Sequence, residues 1–207
     1  MHFFRRLVPA LALFLVVPSL GQSTSPDDGA TEDNVYTNFF FQLRYPFSAS
    51  WVPLTAAATA QIREAGQARL GDDQPQASSA KTYHLLSLAR NFPGDGPNGR
   101  SRALILLVAE DLSSNSEIAS AADCVRKVAG RLKQANFTAV GDPQEIQLSG
   151  RKFSRQELKG VSSAGTPVYE SVYFTLARGH ALGIILVAPS QPVLGGMMGT
   201  LDKLKFY

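Results

Sequence analysis

Two histidines, His84 and His180, are the side chains of this sequence best suited to acid–base chemistry near neutral pH. His84 lies in an apolar stretch, and His180 follows Arg178-Gly179 in a segment typical of a tight turn. A hydrolase with a serine nucleophile normally needs a histidine base, but the sequence has neither a Gly-x-Ser-x-Gly nor a His-Glu-x-x-His motif. The sequence therefore favours a protein that is not an enzyme. A hydrolase that uses His84 is the alternative left open.

Cys124 is the only cysteine, so the chain cannot form an internal disulfide. A nucleophilic thiol needs a basic group close to it in space. Arg126 and Lys127 are close in sequence, but near neighbours on a helix point in different directions. The pattern predicts a small buried side chain at Cys124 and a fold that is stabilised by its core.

The acidic and amide side chains of Asp111, Asn115 and Glu117 could suggest a metal site. No histidine completes a tight ligand set there, and Ser114 with Glu117 has the spacing of a helix capping box. The glycine-rich segment 93–99 lacks the Gly-Lys-Ser/Thr ending of a phosphate loop. We therefore expect no metal and no cofactor.

Aromatic residues are concentrated near the start of the globular part of the chain. Six of them fall within thirteen positions: Phe39, Phe40, Phe41, Tyr45, Phe47 and Trp51. Apolar residues alternate there with Gln42 and Arg44, which predicts a strand with one apolar face that Pro46 ends or bends. The regular alternation favours a strand that seals the core. The alternative is a pocket for a small ligand with Tyr45 or Trp51 in its wall.

A modest basic patch follows in a second predicted strand. Arg151, Lys152, Arg155 and Lys159 lie close together in sequence, with Glu157 among them. A solvated strand face is the simpler interpretation. The alternative is a site for an anion or an acidic partner, in which Arg151 and Arg155 are the candidate ligands.

The N-terminal residues have the anatomy of a secretory signal peptide. Arg5 and Arg6 precede an apolar run, and small residues end the segment at Gly21. We therefore predict a signal peptide at 1–21, a flexible tether at 22–34 and one domain at 35–207. Two of the 20 Lys and Arg lie in the leader and none of the 17 acids does, so the mature chain has a net charge of +1. This balance does not point to nucleic acid, and no stable membrane span is expected after cleavage.

The elements that must position these residues are organised around residues 167–189. Two apolar arms flank Arg178-Gly179-His180, which predicts an antiparallel hairpin. Both faces of the second arm are apolar, as Leu182, Ile184 and Leu186 alternate with Ala181, Ile185 and Val187. A sheet of such strands is covered on both faces. The sequence therefore predicts an α+β protein built as a three-layer α/β/α sandwich with a central, mainly antiparallel sheet.

The remaining elements fit the same plan. Segments 81–92 and 100–109 predict a second hairpin, and 137–159 predicts further strands with breaks at 141–143 and 149–150. Helices are predicted at 54–70, at 115–136 after the Ser114 capping box, and after Ser190, with a last short strand at the C-terminal end.

The order of these elements from Val35 to Tyr207 resembles the PsbP-like fold. The matching pieces are NFFFQLRYPFSASW, EIASAADCVRKVAGRL, LSGRKFSRQEL and VLGGMMGTLDKLKF. That group includes the extrinsic photosystem II subunit, a Ran-binding nuclear factor and exported bacterial proteins of unknown role. The resemblance implies an α/β/α sandwich, and it carries no functional residues because the group has no shared active-site motif.

These observations predict an exported domain, periplasmic or secreted, that is not an enzyme. The first expected role is to bind a partner protein or to support an envelope complex. The alternative is a small-ligand-binding domain with an aromatic pocket at Tyr45 and Trp51.

Overall fold

The computed structural model describes residues 25–69, 81–93, 100–115, 117–162 and 165–207. The predicted signal peptide lies outside the described residues. The described strands are β1 (Gly29–Glu32), β2 (Val35–Asn38), β3 (Leu43–Pro46), β4 (Val52–Pro53), β5 (Thr82–Pro93), β6 (Arg100–Asp111), β7 (Thr138–Leu148), β8 (Arg151–Val161), β9 (Pro167–Ala177), β10 (His180–Ala188) and β11 (Lys205–Phe206). The described helices are α1 (Ala56–Arg69), α2 (Ala121–Gln134) and α3 (Gln191–Thr200), and a 3-10 turn follows at Leu201–Lys203.

A seven-stranded antiparallel sheet forms the centre of the protein, in the order β4-β5-β6-β10-β9-β8-β7. The predicted hairpin is confirmed as β9–β10, and Gly179 at its turn has a φ of 74°. Ile184 is 2% exposed on one face. Ile185 packs on the opposite face in a separate apolar cluster. Both faces of the central strands are therefore covered, as the sequence predicted.

The two faces carry two separate cores. The large core lies between the sheet and a layer that contains α3; its sheet members include Leu88, Ile105, Phe153, Tyr173 and Ile184. The small core lies between the other face and α2; its buried members are Cys124, Val125, Phe137, Leu158, Val172, Phe174 and Ala181. Helices α2 and α3 thus cover opposite faces. The prediction of an α+β protein with a covered antiparallel sheet is confirmed.

The layer over the large core differs from the predicted one, because a second, four-stranded sheet shares it with α3. Its order is β1-β2-β3-β11. The aromatic segment predicted as one strand is a hairpin that reverses between Asn38 and Leu43. The buried Asn38 stabilises this reversal, since its Oδ1 accepts from the Phe41 N–H at 2.9 Å and its Nδ2 donates to the Pro26 carbonyl at 2.8 Å. The simple three-layer α/β/α description is therefore incomplete on this side.

The four-stranded sheet also corrects the predicted tether. Gly29–Glu32, within the segment 22–34, pair with β2 as strand β1. Asp33 and Asn34 form the turn with φ values of 47° and 60°, a conformation that Asp and Asn adopt more readily than most residues. The boundary predicted at Val35 therefore lies too late in the chain.

The helices follow the predicted order, with one corrected start. Helix α2 begins after Ser120, whose side chain forms a capping box with Asp123. The box predicted at Ser114 and Glu117 is not the one that starts the helix. Ser190 caps α3 as predicted, and β11 pairs with β3 as the last short strand.

The second predicted hairpin is confirmed as β5–β6. Its register shifts between His84 and Leu86. Strands β7 and β8 form the predicted pair, with a register shift between Val140 and Gln144.

Candidate functional site

An open groove of about 330 Å³ lies between α3 and the end of β5, at the edge of the large core. We call it the α3 groove. Its lining residues are Trp51, Arg90, Phe92, Pro192, Val193, Gly196, Met197 and Thr200. Most of these side chains are apolar, as is usual for small-molecule sites, and the volume is at the lower end of the range for such sites.

Strand β5 and the segment before β4 supply one wall of the groove. Arg90 pairs with Ala103, a member of the large core, so Arg90 and Phe92 point to the same face as α3. The Arg90 guanidinium lies 4.6 Å from the centroid of the Phe92 ring. Trp51 is 4% exposed, and its backbone N–H donates to the Ser48 carbonyl at 2.9 Å. This wall is therefore largely held in place by packing.

Helix α3 supplies the other wall, and its glycines keep the groove open. Pro192, Gly196 and Thr200 are four residues apart and share one side of the helix. A Cβ added at Gly196 would meet no atom within 4 Å. The same holds at Gly195, which does not line the groove. Because Gly196 lines the groove, a side chain at this position would extend into the groove.

Tyr45 was predicted to be a pocket wall, but it lies behind the groove. It is 1% exposed, and burial raises the pKa of its hydroxyl. The Thr200 hydroxyl donates to the Met197 carbonyl at 2.6 Å, so the Tyr45 hydroxyl is the donor in its 3.1 Å bond to Thr200 Oγ1. Tyr45 therefore orients a groove residue, whereas Trp51 lines the groove itself.

Arg90 is the only charged residue among those lining the groove. Within the described ranges, no carboxylate forms an ion pair with it. Its guanidinium is held over the ring of Phe92. The groove therefore combines apolar walls with one cation that is free to pair with an acidic group of a ligand.

Arg151 and Arg155 lie away from this groove, on β8. Arg155 already has polar partners within the protein, because its Nη2 lies 2.7 Å from Gln144 Oε1 and 3.4 Å from Glu157 Oε1. Arg151 stacks on the ring of Phe206, with 4.1 Å between the guanidinium carbon and the ring centroid. Of the predicted site residues, the structure thus places Trp51 in the groove wall, Tyr45 behind it in contact with Thr200, and the two arginines elsewhere.

His84 lines a second cavity of about 330 Å³, between α1 and the irregular part of β5. Hydroxyl groups of Thr31, Thr59 and Ser87 are also in its wall. None of the described residues that line it is a carboxylate or a thiol. The structure gives no further support to the hydrolase alternative.

His180 is packed among aromatic rings. Its ring centroid is 5.4 Å from that of Phe40 and 5.7 Å from those of Phe41 and Tyr83. Nδ1 lies 2.8 Å from the Arg178 carbonyl oxygen. These contacts indicate that His180 has a structural role at the end of the sheet.

Cys124 is 3% exposed in the small core. Burial, together with the negative charges of Glu110 and Asp123, raises the pKa of its thiol to about 11. A thiol in this environment is protonated near neutral pH, and the thiolate is the nucleophilic form. Its position therefore fits the predicted role as a small core side chain.

Two of the residues considered as metal ligands, Asp111 and Asn115, form hydrogen bonds within a local turn. Asp111 Oδ1 accepts from the Ser113 N–H at 2.8 Å, and Asn115 N–H donates to the Leu112 carbonyl at 3.0 Å. In the part of the chain that the structure describes, no three His, Cys, Asp or Glu residues are grouped as metal ligands would be. None of the described helices is both long and apolar enough to cross a membrane.

No sequence pattern indicated that Arg90, Phe92 or the α3 side of the groove belongs to a site. The segment Arg90-Asn91-Phe92 has the alternation of an ordinary strand end. The glycines of α3 indicate only a low helix propensity. Their common position arises from the contact of α3 with the large sheet, which joins residues about 100 positions apart.

No family model matches the chain, and no curated protein sequence matches it. Two solved structures are similar in part. The first is LpqN, involved in cell envelope biogenesis of Mycobacterium tuberculosis, with a TM-score of 0.46 and 15% identity over 79% of this chain and 82% of that one. The second is PA94 from Pseudomonas aeruginosa, a protein of unknown function and putative regulator, with a TM-score of 0.38 and 16% identity over 61% of this chain and 81% of that one.

Proposed function

We propose that this protein is an exported, non-enzymatic binding domain whose α3 groove holds a small amphipathic molecule. The observation that carries the proposal is an open apolar groove with one cation, Arg90, for which the described part of the chain provides no carboxylate. The apolar part of the ligand lies against Trp51, Phe92 and Met197. Its acidic group pairs with Arg90.

The size and chemistry of the groove support this class of ligand. Its volume is that of about ten water molecules, which suits a medium-length acyl chain or a single aromatic system. Removal of apolar surface from water stabilises the complex by about 25 cal/mol per Å². A charge-assisted hydrogen bond from a guanidinium that is already stacked on a ring adds specificity for a carboxylate.

Other parts of the proposal rest on the sequence. Export to the periplasm or the outside is supported by the leader pattern at 1–21. The absence of a hydrolase motif and the buried, protonated Cys124 support a role without catalysis. The order of elements supports a distant relationship to the PsbP-like group. An envelope protein partner, the first role suggested by the sequence, is the competing proposal.

Fluorescence of Trp51 tests the groove directly, because it is the only tryptophan. We expect a saturable change with decanoate and a weaker response with decanol, since decanol has no charge to pair with Arg90. In Arg90→Gln, decanoate should bind about tenfold more weakly while decanol is unchanged. The control is Arg102→Gln, which makes the same change in charge. Arg102 is exposed and lies on β6, on the face of the large sheet opposite to the groove.

A flat response to both probes would contradict the proposal. A co-purifying envelope protein that is lost in Gly196→Ala would instead favour the competing role, with the groove as the contact point. Equal loss of decanoate binding in Arg90→Gln and Arg102→Gln would show non-specific attraction and would also contradict the assignment of Arg90.

A further inference from the structure

Arg151 and Arg178 lie together at one end of the large core, away from the α3 groove. The register of β8 with β9 pairs Ser154 with Phe174. Because the two strands are antiparallel, the start of β8 at Arg151 and the turn after β9, which contains Arg178, lie at the same end of the sheet. We call these two residues the arginine pair.

Each guanidinium of the arginine pair is held over an aromatic ring. Arg151 lies 4.1 Å from the centroid of Phe206, and Arg178 lies 5.6 Å from the centroid of Phe40. Phe206 itself packs on Phe153, with 6.1 Å between the ring centroids. A planar guanidinium placed on a ring is restricted in orientation, so less entropy is lost when it binds a ligand.

Among the residues that the structure describes, no carboxylate forms an ion pair with either member of the arginine pair. The ion pairs within the described residues join Arg126 to Asp123, Lys127 to Glu110, Lys152 to Glu145 and Arg155 to Glu157. Asp111, which pairs in register with His180, accepts a hydrogen bond from the Ser113 N–H. Two positive charges therefore lie at this end of the sheet without a counter-charge from the described chain.

The Arg151 guanidinium also has one nitrogen without a hydrogen-bond partner in the described part of the chain. Its Nη1 atom is buried and has no hydrogen-bond partner among the described residues. Burial, followed by the positive charge of Arg178, lowers the pKa of Arg151. An anion that bridges the two guanidinium groups would offset the repulsion between their charges and accept hydrogen bonds from their exposed nitrogens.

We propose that the arginine pair is a binding site for a phosphate group with two negative charges. Two guanidinium groups without an acid match a doubly charged oxyanion better than a single carboxylate does. The ligand is either a free phosphate or the phosphomonoester head group of a lipid. Arg155 has no part in the site because Glu157 and Gln144 already occupy it.

NMR titration with inorganic phosphate, at constant ionic strength kept with chloride, tests the site. We expect saturable shifts at the amides of Phe40, Arg151, Arg178 and Phe206. Arg151→Gln and Arg178→Gln should each weaken binding by about tenfold. Arg178 is exposed in a turn, so its replacement tests the site even if Arg151→Gln impairs folding.

Arg102→Gln is the matched control and should leave phosphate binding unchanged. An equal loss in Arg102→Gln, or the absence of saturable shifts, overturns the proposal. Arg90→Gln should also bind phosphate normally, which separates this site from the α3 groove.

Vesicles distinguish the two sources of the phosphate group. Sedimentation with phosphatidic acid vesicles that is lost in Arg178→Gln identifies a lipid head group. Binding of free phosphate without such sedimentation identifies a soluble ligand. Phosphatidylcholine has no phosphomonoester. Equal sedimentation with phosphatidylcholine vesicles would therefore show that the arginine pair does not cause the binding to vesicles, and would overturn the lipid assignment.

Discussion

The small-core strands and helix α3 use glycine for opposite purposes. In the small core, a Cβ at Gly160 would lie 2.7 Å from the ring of Phe137, and one at Gly183 would lie 2.6 Å from Phe174. On α3, a Cβ at Gly195 or Gly196 would meet nothing within 4 Å. Glycine lets an aromatic ring approach the backbone at these two strand positions, whereas at Gly196 it leaves the space of the groove open.

This difference accounts for the position of the α3 groove. Helix α2 covers the small core with an apolar stripe in which Cys124 and Val125 are buried. Helix α3 buries Leu194 and Met197 but has glycine on its outer turns. The α3 groove therefore lies at the edge of the contact between α3 and the large sheet, where the side chains of α3 do not fill the space.

The largest expected effect is the loss of a ring from the small core. Phe137→Ala should lower the free energy of unfolding by about 3–5 kcal/mol, because it removes apolar burial and leaves a cavity above Gly160. Urea denaturation measures the change. Phe39→Ala, at a side chain that is 60% exposed, is the control and should have an effect below about 0.5 kcal/mol. Similar values for the two variants would contradict the description of a closed small core.

The next effect is that of an added methyl group in the same place. Gly160→Ala should lower the free energy of unfolding by about 1–3 kcal/mol, because the new Cβ overlaps the Phe137 ring. In a Phe137→Leu background the same substitution should cost less, since the ring is gone. A double-mutant cycle by urea denaturation checks this, and an additive result would show that the ring is not the cause.

The closed small core also predicts a pH dependence at Cys124. Its folded-state pKa of about 11 lies above the ordinary 9.0, so its contribution is complete below about pH 9 and is lost as pH rises toward 11. By pH 10 the loss should be about 1 kcal/mol. The comparison is the slope of unfolding free energy between pH 8.5 and 10 in the wild type and in Cys124→Ala. Equal slopes would show that the thiol does not titrate in this way.

The smallest stability effect, with the opposite sign, is expected in α3. Gly196→Ala and Gly195→Ala should each stabilise the protein by up to about 1 kcal/mol, because alanine favours a helix and the added methyl meets no atom. Only Gly196→Ala should weaken decanoate binding, since only that methyl group enters the groove. Thermal unfolding and Trp51 fluorescence measure the two properties. Unchanged binding in Gly196→Ala would place the ligand elsewhere.

Local patterns predicted most of the strands but did not identify the right helix cap. Two capping boxes lie six residues apart, at Ser114 with Glu117 and at Ser120 with Asp123. Only the first has the Ser-x-x-Glu sequence of the local rule, since the second has Asp in place of Glu. The contact of Leu112 N–H with the Gly179 carbonyl at 3.0 Å ties the first box into a turn next to β10. Only the second box is then free to begin α2.

The aromatic segment shows the same limit. Its alternation predicted one strand, but a strand pattern is also compatible with a hairpin when a polar residue can support the reversal. Asn38 does so through its hydrogen bonds to Phe41 and Pro26. Trp51 was a candidate because of its residue type, whereas Arg90 and Gly196 became candidates only through their position in space.

The sequence by itself determined the antiparallel hairpins, the presence of covering layers on both faces of the sheet and the burial of Cys124. These properties depend on alternation, turn residues and apolar content, which are local in the chain. The tertiary structure alone decided that a four-stranded sheet shares a layer with α3, that Trp51 and Arg90 face one groove, and that Arg151 and Arg178 lie over aromatic rings at the same end of the sheet. These properties arise from contacts between residues far apart in sequence, for which a local pattern contains no information.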